Sequence, residues 1–172
     1  MITDKIKFPP KYARQDTDMS AYAEIDTENL TPERVWRNLT NISDWPRQDR
    51  RIVDIQFEDS ADNDPHLYLK AEFYYDLDDR TRVRAHVVCF DPPKDDRVGR
   101  LAYDGTVFDQ DGKQVCTFVH EFIVGVPDHS GHFTFATAIS VKDPRHPKSG
   151  DALRQELLQD MVKLTEYCRK HH

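Results

Sequence analysis

Alternation of apolar and polar residues marks the first regular element of the chain. In residues 20–26, the apolar side chains of Ala21, Ala23 and Ile25 alternate with Tyr22 and acidic residues. A period of two is typical of a strand that buries one face. The pattern therefore predicts a first strand over residues 20–26.

Two short helices are predicted after this strand. Thr31 can cap a first helical turn, and Pro32 suits the first position inside the helix. This helix would turn one apolar face inward, which is formed by Val35, Trp36 and Leu39. A second helical turn is expected over residues 42–47, with Ser43 as its cap and Trp45 buried.

The middle of the chain reads as a series of strands. Runs rich in β-branched and aromatic residues cover residues 52–57, 67–77, 82–90, 98–108, 115–124 and 132–141. Several separators are too short for parallel crossovers, which need a dozen residues or more, namely residues 76–80, 109–113 and 127–131. We therefore expect an antiparallel meander.

The last segment, residues 151–170, has the spacing of an amphipathic helix about 30 Å long. Its apolar positions are Leu153, Leu157, Leu158, Met161, Val162, Leu164 and Cys168. Such a stripe must be covered, and the inner face of the sheet is the large surface available. The element order predicts an α+β fold in which about seven antiparallel strands pack on a long C-terminal helix.

Length and charge narrow the class of protein. With 172 residues, the chain suits a single domain over residues 18–172, preceded by an extended arm over residues 1–17 that lacks periodicity. A net charge of −7 disfavours binding to nucleic acid. The cluster of Arg47, Arg50 and Arg51 is interpreted as a solvated loop.

Cysteine and histidine usage gives no support for a disulfide framework or a metal site. The 3 cysteines, Cys89, Cys116 and Cys168, form no C-x-x-C pair, which suits a reducing cytoplasm. His129 and His132 lie in a predicted turn without a set of carboxylates or thiols beside them. The sequence also has no signal peptide and no run of about 18 apolar residues, so no membrane span is expected.

Two pairs of local motifs stand out along the chain. They are EID at residues 24–26 followed by TPERVW at 31–36, and FDPP at 90–93 followed by GRLAYDG at 99–105. Together with the strand that contains His120, the turn at Gly131 and the closing helix, these motifs resemble the START-like superfamily, also called SRPBCC, and specifically its polyketide cyclase/dehydrase and lipid-transport branch. Tyr103 stands where the family often has an indole.

The resemblance implies a helix-grip fold, in which the sheet wraps around the last helix and leaves a ligand pocket between them. Alternation within the strands then suggests the side chains that face this pocket. From the sheet these are Ala71, Phe73, Tyr75, Leu101, Tyr103, Phe118, His120, Phe122, Phe133 and Phe135; from the helix they are Leu157, Leu158, Met161 and Leu164.

Three functions remain open. The first is a module that binds or carries a small hydrophobic molecule. The second is a cyclase or dehydratase in which His120 and Tyr103 assist proton transfer, although buried residues of these types more often have a structural role. The third is a co-chaperone-like interaction domain. Glu72 and Glu121 are expected on the outer face, and the sequence has no nucleophile motif or phosphate loop, so we expect no cofactor and no metal.

Overall fold

A single antiparallel sheet of 7 strands forms the body of the protein, in the order β1-β7-β6-β5-β4-β3-β2. The computed structural model describes residue 12, residues 17–59 and residues 64–171. The strands are β1 Met19–Thr27, β2 Ile52–Phe57, β3 Glu72–Leu77, β4 Arg82–Asp91, β5 Gly99–Phe108, β6 Gln114–Val124 and β7 Phe133–Lys142. The order confirms the predicted meander for β2 to β7, while β1 returns to pair with β7.

Strand β3 is shorter than the sequence predicts. The expected strand began at residue 67, but the observed strand begins at Glu72. A turn intervenes because Lys70 adopts a left-handed backbone conformation (φ 69°), which a strand cannot accommodate. The Lys70 N–H donates to the Val87 carbonyl (3.0 Å), so the turn is fastened to the neighbouring strand β4.

The two predicted short helices are present after β1. Helix α1 spans Pro32–Thr40, and a 3₁₀ turn at Ile42–Asp44 leads into α2, Trp45–Gln48. The Thr31 hydroxyl caps α1 by accepting from the Arg34 N–H (3.2 Å), as predicted. The predicted Ser43 cap is wrong. Asn41, which directly precedes the 3₁₀ turn, caps it instead, and its side-chain oxygen accepts from the Ser43 N–H (3.1 Å).

Helix α3, Gly150–Lys170, lies over the inner face of the sheet and confirms the helix-grip arrangement. Ser149 caps it by accepting from the Ala152 N–H (3.1 Å). The predicted stripe is buried at Leu153, Leu157, Met161, Leu164 and Cys168. Leu158 of the same stripe is half-buried. Val162 has 44% of its surface exposed, because it follows Met161 and is rotated about 100° away from the buried stripe.

The outer face of the sheet is partly covered. The Glu121 side chain lies there, fully buried, and accepts from Arg100 Nη2 (2.7 Å). The Ser140 hydroxyl donates to the carbonyl of Tyr12, which is also buried (3.3 Å). The rest of the predicted arm, residues 1–11 and 13–16, lies outside the described residues. Among the described helices, none combines the length and the hydropathy that crossing a membrane requires.

Candidate functional site

A cavity of about 400 Å³ lies between the inner face of the sheet and α3. Its walls are mainly apolar and aromatic, and the residues that form them are Leu39, Trp45, Ile52, Leu77, Val83, Val107, Phe118, Phe122, Phe135, Ile139, Val141, Leu153, Leu157, Met161 and Leu164. The volume lies within the range of about 300–1,000 Å³ that is common for small-molecule sites. The cavity is therefore the candidate functional site.

Most of the side chains that alternation placed inward lie on this cavity. Tyr75, Tyr103, Phe118, His120, Phe122, Phe135, Leu157, Met161 and Leu164 line it. Others are core residues away from its wall, namely Ala71, Phe73, Leu101 and Phe133, all of which are buried. Leu158 is half-buried and packs against the core without lining the cavity.

Trp45 forms one wall of the cavity and is held in a fixed orientation. Its indole N–H donates to the Leu39 carbonyl (3.0 Å), which leaves the flat ring free to pack. The ring lies 5.7 Å from Phe73, 5.9 Å from Tyr75 and 5.9 Å from Tyr103, measured between centroids. An aromatic cluster thus joins the short helix α2 to strands β3 and β5.

A chain of polar side chains crosses the cavity wall from β7 to β5. The Thr137 hydroxyl lies 3.2 Å from the Glu121 carbonyl and 2.7 Å from His120 Nε2. On the other side of the ring, His120 Nδ1 lies 3.4 Å from the Tyr103 hydroxyl. These contacts follow from the sheet register, because Tyr103 pairs with His120 on β6, and Thr137 stands on the adjacent strand β7.

The network assigns the tautomer of His120. A carbonyl can only accept, so the Thr137 hydroxyl gives its proton to the Glu121 carbonyl and accepts from His120 Nε2. The other nitrogen, Nδ1, then carries a lone pair and accepts from the Tyr103 hydroxyl. Burial lowers the pKa of His120 from 6.5 to about 3, because the protonated ring would lose its hydration. His120 is therefore neutral over the physiological pH range.

Two phenols share the cavity with His120. Burial raises the pKa of Tyr75, and it raises the pKa of Tyr103 well above the ordinary value. The nearby Tyr75 phenol contributes to the shift at Tyr103. Both hydroxyls consequently stay protonated and act as hydrogen-bonding groups rather than as phenolates.

The remaining polar residues that line the cavity do not belong to the hydrogen-bonded series through His120, and they lie where the end of α2 approaches α3. We call this set the rim; it consists of Gln48, Asp49, Arg51, Glu156, Asp160 and Lys163. Arg51 Nη2 joins two segments across the rim, with Asp49 Oδ2 at 2.7 Å and Asp160 Oδ1 at 3.1 Å. Burial would raise the pKa of Asp49, but its bonds to Arg51 lower it; burial raises the pKa of Asp160.

Some of these residues were not expected from the sequence. The interpretation of the arginine cluster as a solvated loop fits Arg47, whose side chain is 71% exposed, but Arg51 bridges the rim. Thr137 was also missed, although it has the same strand parity as Phe135, and parity alone would have placed it inward. No sequence signal pairs Arg51 with Asp160, because 109 positions separate them.

The histidines of the β6–β7 turn do not form part of a metal site in the described structure. His132 lies near Glu28, with 3.8 Å between Nε2 and Oε2. Within residues 12, 17–59 and 64–171, no group of at least 3 histidine, cysteine, aspartate or glutamate side chains is arranged to hold a metal ion.

The sheet, the helix laid over it and the internal cavity define the helix-grip class. Solved structures share this fold. A hypothetical protein from Helicobacter pylori aligns over 95% of this chain and 96% of its own, with 19% identity and a TM-score of 0.78. A START superfamily protein from Mycobacterium smegmatis aligns over 88% of this chain and 97% of its own, with 10% identity and a TM-score of 0.60.

The protein Ara h 8.0201 also has this fold, covering 88% of this chain and 99% of its own at 12% identity and a TM-score of 0.57. Neither a family model nor a curated protein sequence matches the chain. The structural neighbours confirm that this chain has the START-like, helix-grip fold that the sequence motifs indicated.

Proposed function

We propose that this protein binds and carries a small hydrophobic molecule in the cavity between the sheet and α3. The observation that carries the proposal is the cavity itself, about 400 Å³ in volume, with walls that are mainly apolar and aromatic. An unfilled apolar cavity lowers stability, because its lining side chains lose packing contacts. A ligand would restore those contacts.

The distribution of polar groups supports binding rather than a solid core. Charged side chains lie at the rim, whereas the interior carries the uncharged Tyr75, Tyr103, His120 and Thr137. This division suits a ligand with an apolar body and few polar atoms. The START-like fold gives independent support, since one structural neighbour carries that superfamily name and the fold typically binds hydrophobic ligands.

Native mass spectrometry of freshly purified protein, followed by denaturing extraction, tests the proposal. Ile139→Trp, which places an indole in the cavity, should prevent ligand retention. Thr134→Trp places the same indole on the outer face of the same strand and serves as the matched control. We expect an apolar compound from the wild type and from Thr134→Trp, but not from Ile139→Trp. A compound retained equally by all 3 proteins would place binding elsewhere.

A cyclase or dehydratase activity on a polyketide-like substrate is the second candidate. The contact between Tyr103 Oη and His120 Nδ1 (3.4 Å) favours it, because it places a proton donor and a lone pair on the cavity wall. A His120 pKa of about 3 makes the ring a weak base and counts against it. Combining His120→Ala with Tyr103→Phe should abolish turnover while ligand binding persists. The open cavity gives no support to the co-chaperone-like alternative.

A further inference from the structure

The Tyr75 hydroxyl has no hydrogen-bond partner among the described residues, although it lies at the cavity. Its ring packs against Trp45 and Phe73, which holds the side chain on the inner face of β3. This hydroxyl is not one of the fully buried polar atoms, so solvent reaches it in the empty cavity. A ligand displaces that solvent, and a hydroxyl left without a partner beneath the ligand costs roughly 1–3 kcal/mol, so a ligand that supplies an acceptor binds more tightly. Tyr75 thus offers a proton to an acceptor on the ligand.

The Tyr103 hydroxyl, in contrast, already has a hydrogen-bond partner in His120. Its proton is directed to His120 Nδ1 (3.4 Å), because the Glu121 carbonyl orients every donor of the chain that runs through Thr137 and His120. Its oxygen lone pairs remain available in the cavity. Tyr103 therefore offers an acceptor to a ligand, because the hydrogen bonds through Thr137 and His120 commit its proton to His120.

The two phenols are near each other. Both contact the Trp45 ring at centroid distances of 5.9 Å, and the Tyr75 phenol contributes to the raised pKa of Tyr103. A ligand hydroxyl placed between them has one lone pair to accept from Tyr75 and one proton to donate to Tyr103. An ether or ketone oxygen can accept from Tyr75 only.

Charge at the site argues against an acidic ligand. The rim carries the carboxylates of Asp49, Glu156 and Asp160 against two cations, so its net charge is negative. Of these cations, Arg51 is paired with Asp49 and Asp160, and Lys163 lies close enough to the same two carboxylates to lower their pKa values. Deeper in the cavity, a carboxylate would meet the neutral His120 and two neutral phenols. Removing a carboxylate from water without a cationic partner is costly.

We propose that the cavity prefers a neutral aromatic alcohol or phenol, whose rings stack among Trp45, Phe118 and Phe122 and whose hydroxyl accepts from Tyr75 Oη and donates to Tyr103 Oη. This inference rests on the proposed binding function. It adds the polarity of the ligand, the two residues that recognise it and the direction of each hydrogen bond.

Isothermal titration calorimetry with a set of related probes tests it. The probes are naphthalene, 2-methoxynaphthalene, 2-naphthol and 2-naphthoate. We expect 2-naphthol to bind tightest, with each of its hydrogen bonds worth about two- to tenfold in affinity. Tyr75→Phe should weaken 2-naphthol and 2-methoxynaphthalene. Tyr103→Phe should weaken 2-naphthol but leave 2-methoxynaphthalene unchanged, because an ether has no proton to donate.

Tyr74→Phe is the matched control, because Tyr74 neighbours Tyr75 but points to the outer face, where its hydroxyl contacts Gln56. It should leave all affinities unchanged, and near-ultraviolet circular dichroism verifies the fold of each variant. If the probes bind equally, or 2-naphthoate binds tightest, the inference is overturned while the binding function stands. If naphthalene and the other probes fail to bind, and extraction yields no ligand, both are overturned.

Discussion

Neutrality of His120 is the property from which much of the site chemistry follows. The ring lies 4.2 Å from that of Phe122 between centroids, and both of its nitrogens are engaged by uncharged partners. Among the described residues, no charged partner offsets the effect of burial on its pKa. Burial therefore lowers the pKa of His120 in full, and the ring forms its hydrogen bonds in the neutral state.

Stability should consequently fall on acidification through His120. Between pH 6.5 and about 3, the unfolded chain binds a proton at this histidine that the native protein does not bind. The linkage relation then lowers the free energy of unfolding by up to about 1.4 kcal/mol per pH unit as the pH drops. We expect His120→Gln to remove this pH-dependent part of the free energy of unfolding. The measurement is the difference in that free energy between wild type and variant, obtained from urea unfolding at several pH values.

His129→Gln, in the exposed β6–β7 turn, is the control for that experiment. The difference between wild type and His129→Gln should not change with pH in the same way. A wild-type curve parallel to that of His120→Gln would show that the ring is protonated at no cost in the folded protein, and would contradict the buried neutral state.

At the scale of elements, strand β5 approaches β4 unusually closely at Gly105. A Cβ added there would lie 2.1 Å from the Arg84 carbonyl oxygen, far inside van der Waals contact. The backbone carbonyl cannot move aside without disturbing the ladder between the two strands. Glycine at this position therefore allows β5 to carry Tyr103 against the cavity.

Gly105→Ala should destabilise the protein by about 1–3 kcal/mol or more, because overpacking forces the two strands apart. Gly150→Ala is the contrasting substitution, since a Cβ at the start of α3 would make an ordinary 3.6 Å contact with the Ser20 carbonyl. Alanine is also the better helix former. Chemical denaturation should rank Gly105→Ala lowest, and equal stability of the two variants would contradict the close approach.

The rim joins elements that share few other contacts. Arg51 precedes β2, and Asp160 lies on α3, so their ion pair closes one side of the cavity (3.1 Å). Both side chains are well exposed, at 51% and 44%, and the solvent weakens their attraction. The bridge is thus expected to influence ligand exchange more than global stability.

A double-mutant cycle with Arg51→Gln and Asp160→Asn should give a coupling energy of about 0.2–1 kcal/mol in urea unfolding. Ligand dissociation, measured by stopped-flow fluorescence, should be faster in both single variants. Arg145→Gln is the control, because it breaks an ion pair with Asp109 (2.7 Å) that lies outside the rim and does not line the cavity. An unchanged dissociation rate in the Arg51 and Asp160 variants would exclude a gating role for the bridge.

For the whole molecule, ligand binding should raise thermal stability by mass action. A compound that binds only the folded state adds about 2.7 kcal/mol when present at 100 times its Kd. For a domain of this size, each kcal/mol corresponds to about 2–4 °C in Tm. We expect the Tm of the wild type to rise with the logarithm of the 2-naphthol concentration above Kd, and a much smaller rise for Ile139→Trp. Similar rises in both proteins would place binding outside the cavity.

Periodicity alone was enough to predict most of the fold. Alternation predicted which side chains of β3 and of β5 to β7 face inward, and the spacing of Leu153, Leu157, Met161 and Leu164 predicted α3 and its buried stripe. These elements depend on local patterns of burial, which the sequence records directly. The failures were also local: the Lys70 turn and the Asn41 cap depend on backbone conformations that composition does not specify.

The sequence by itself determined which side chains could face the interior, because strand parity and helix period are properties of the chain. Only the tertiary structure decided which of them border the cavity, as Tyr75 and Tyr103 do, and which are packed in the core, as Phe73 and Leu101 are. It also decided the pairing of Arg51 with Asp160 and the hydrogen-bonded chain through His120. Such contacts depend on how distant segments meet in space, and no local pattern encodes that distance.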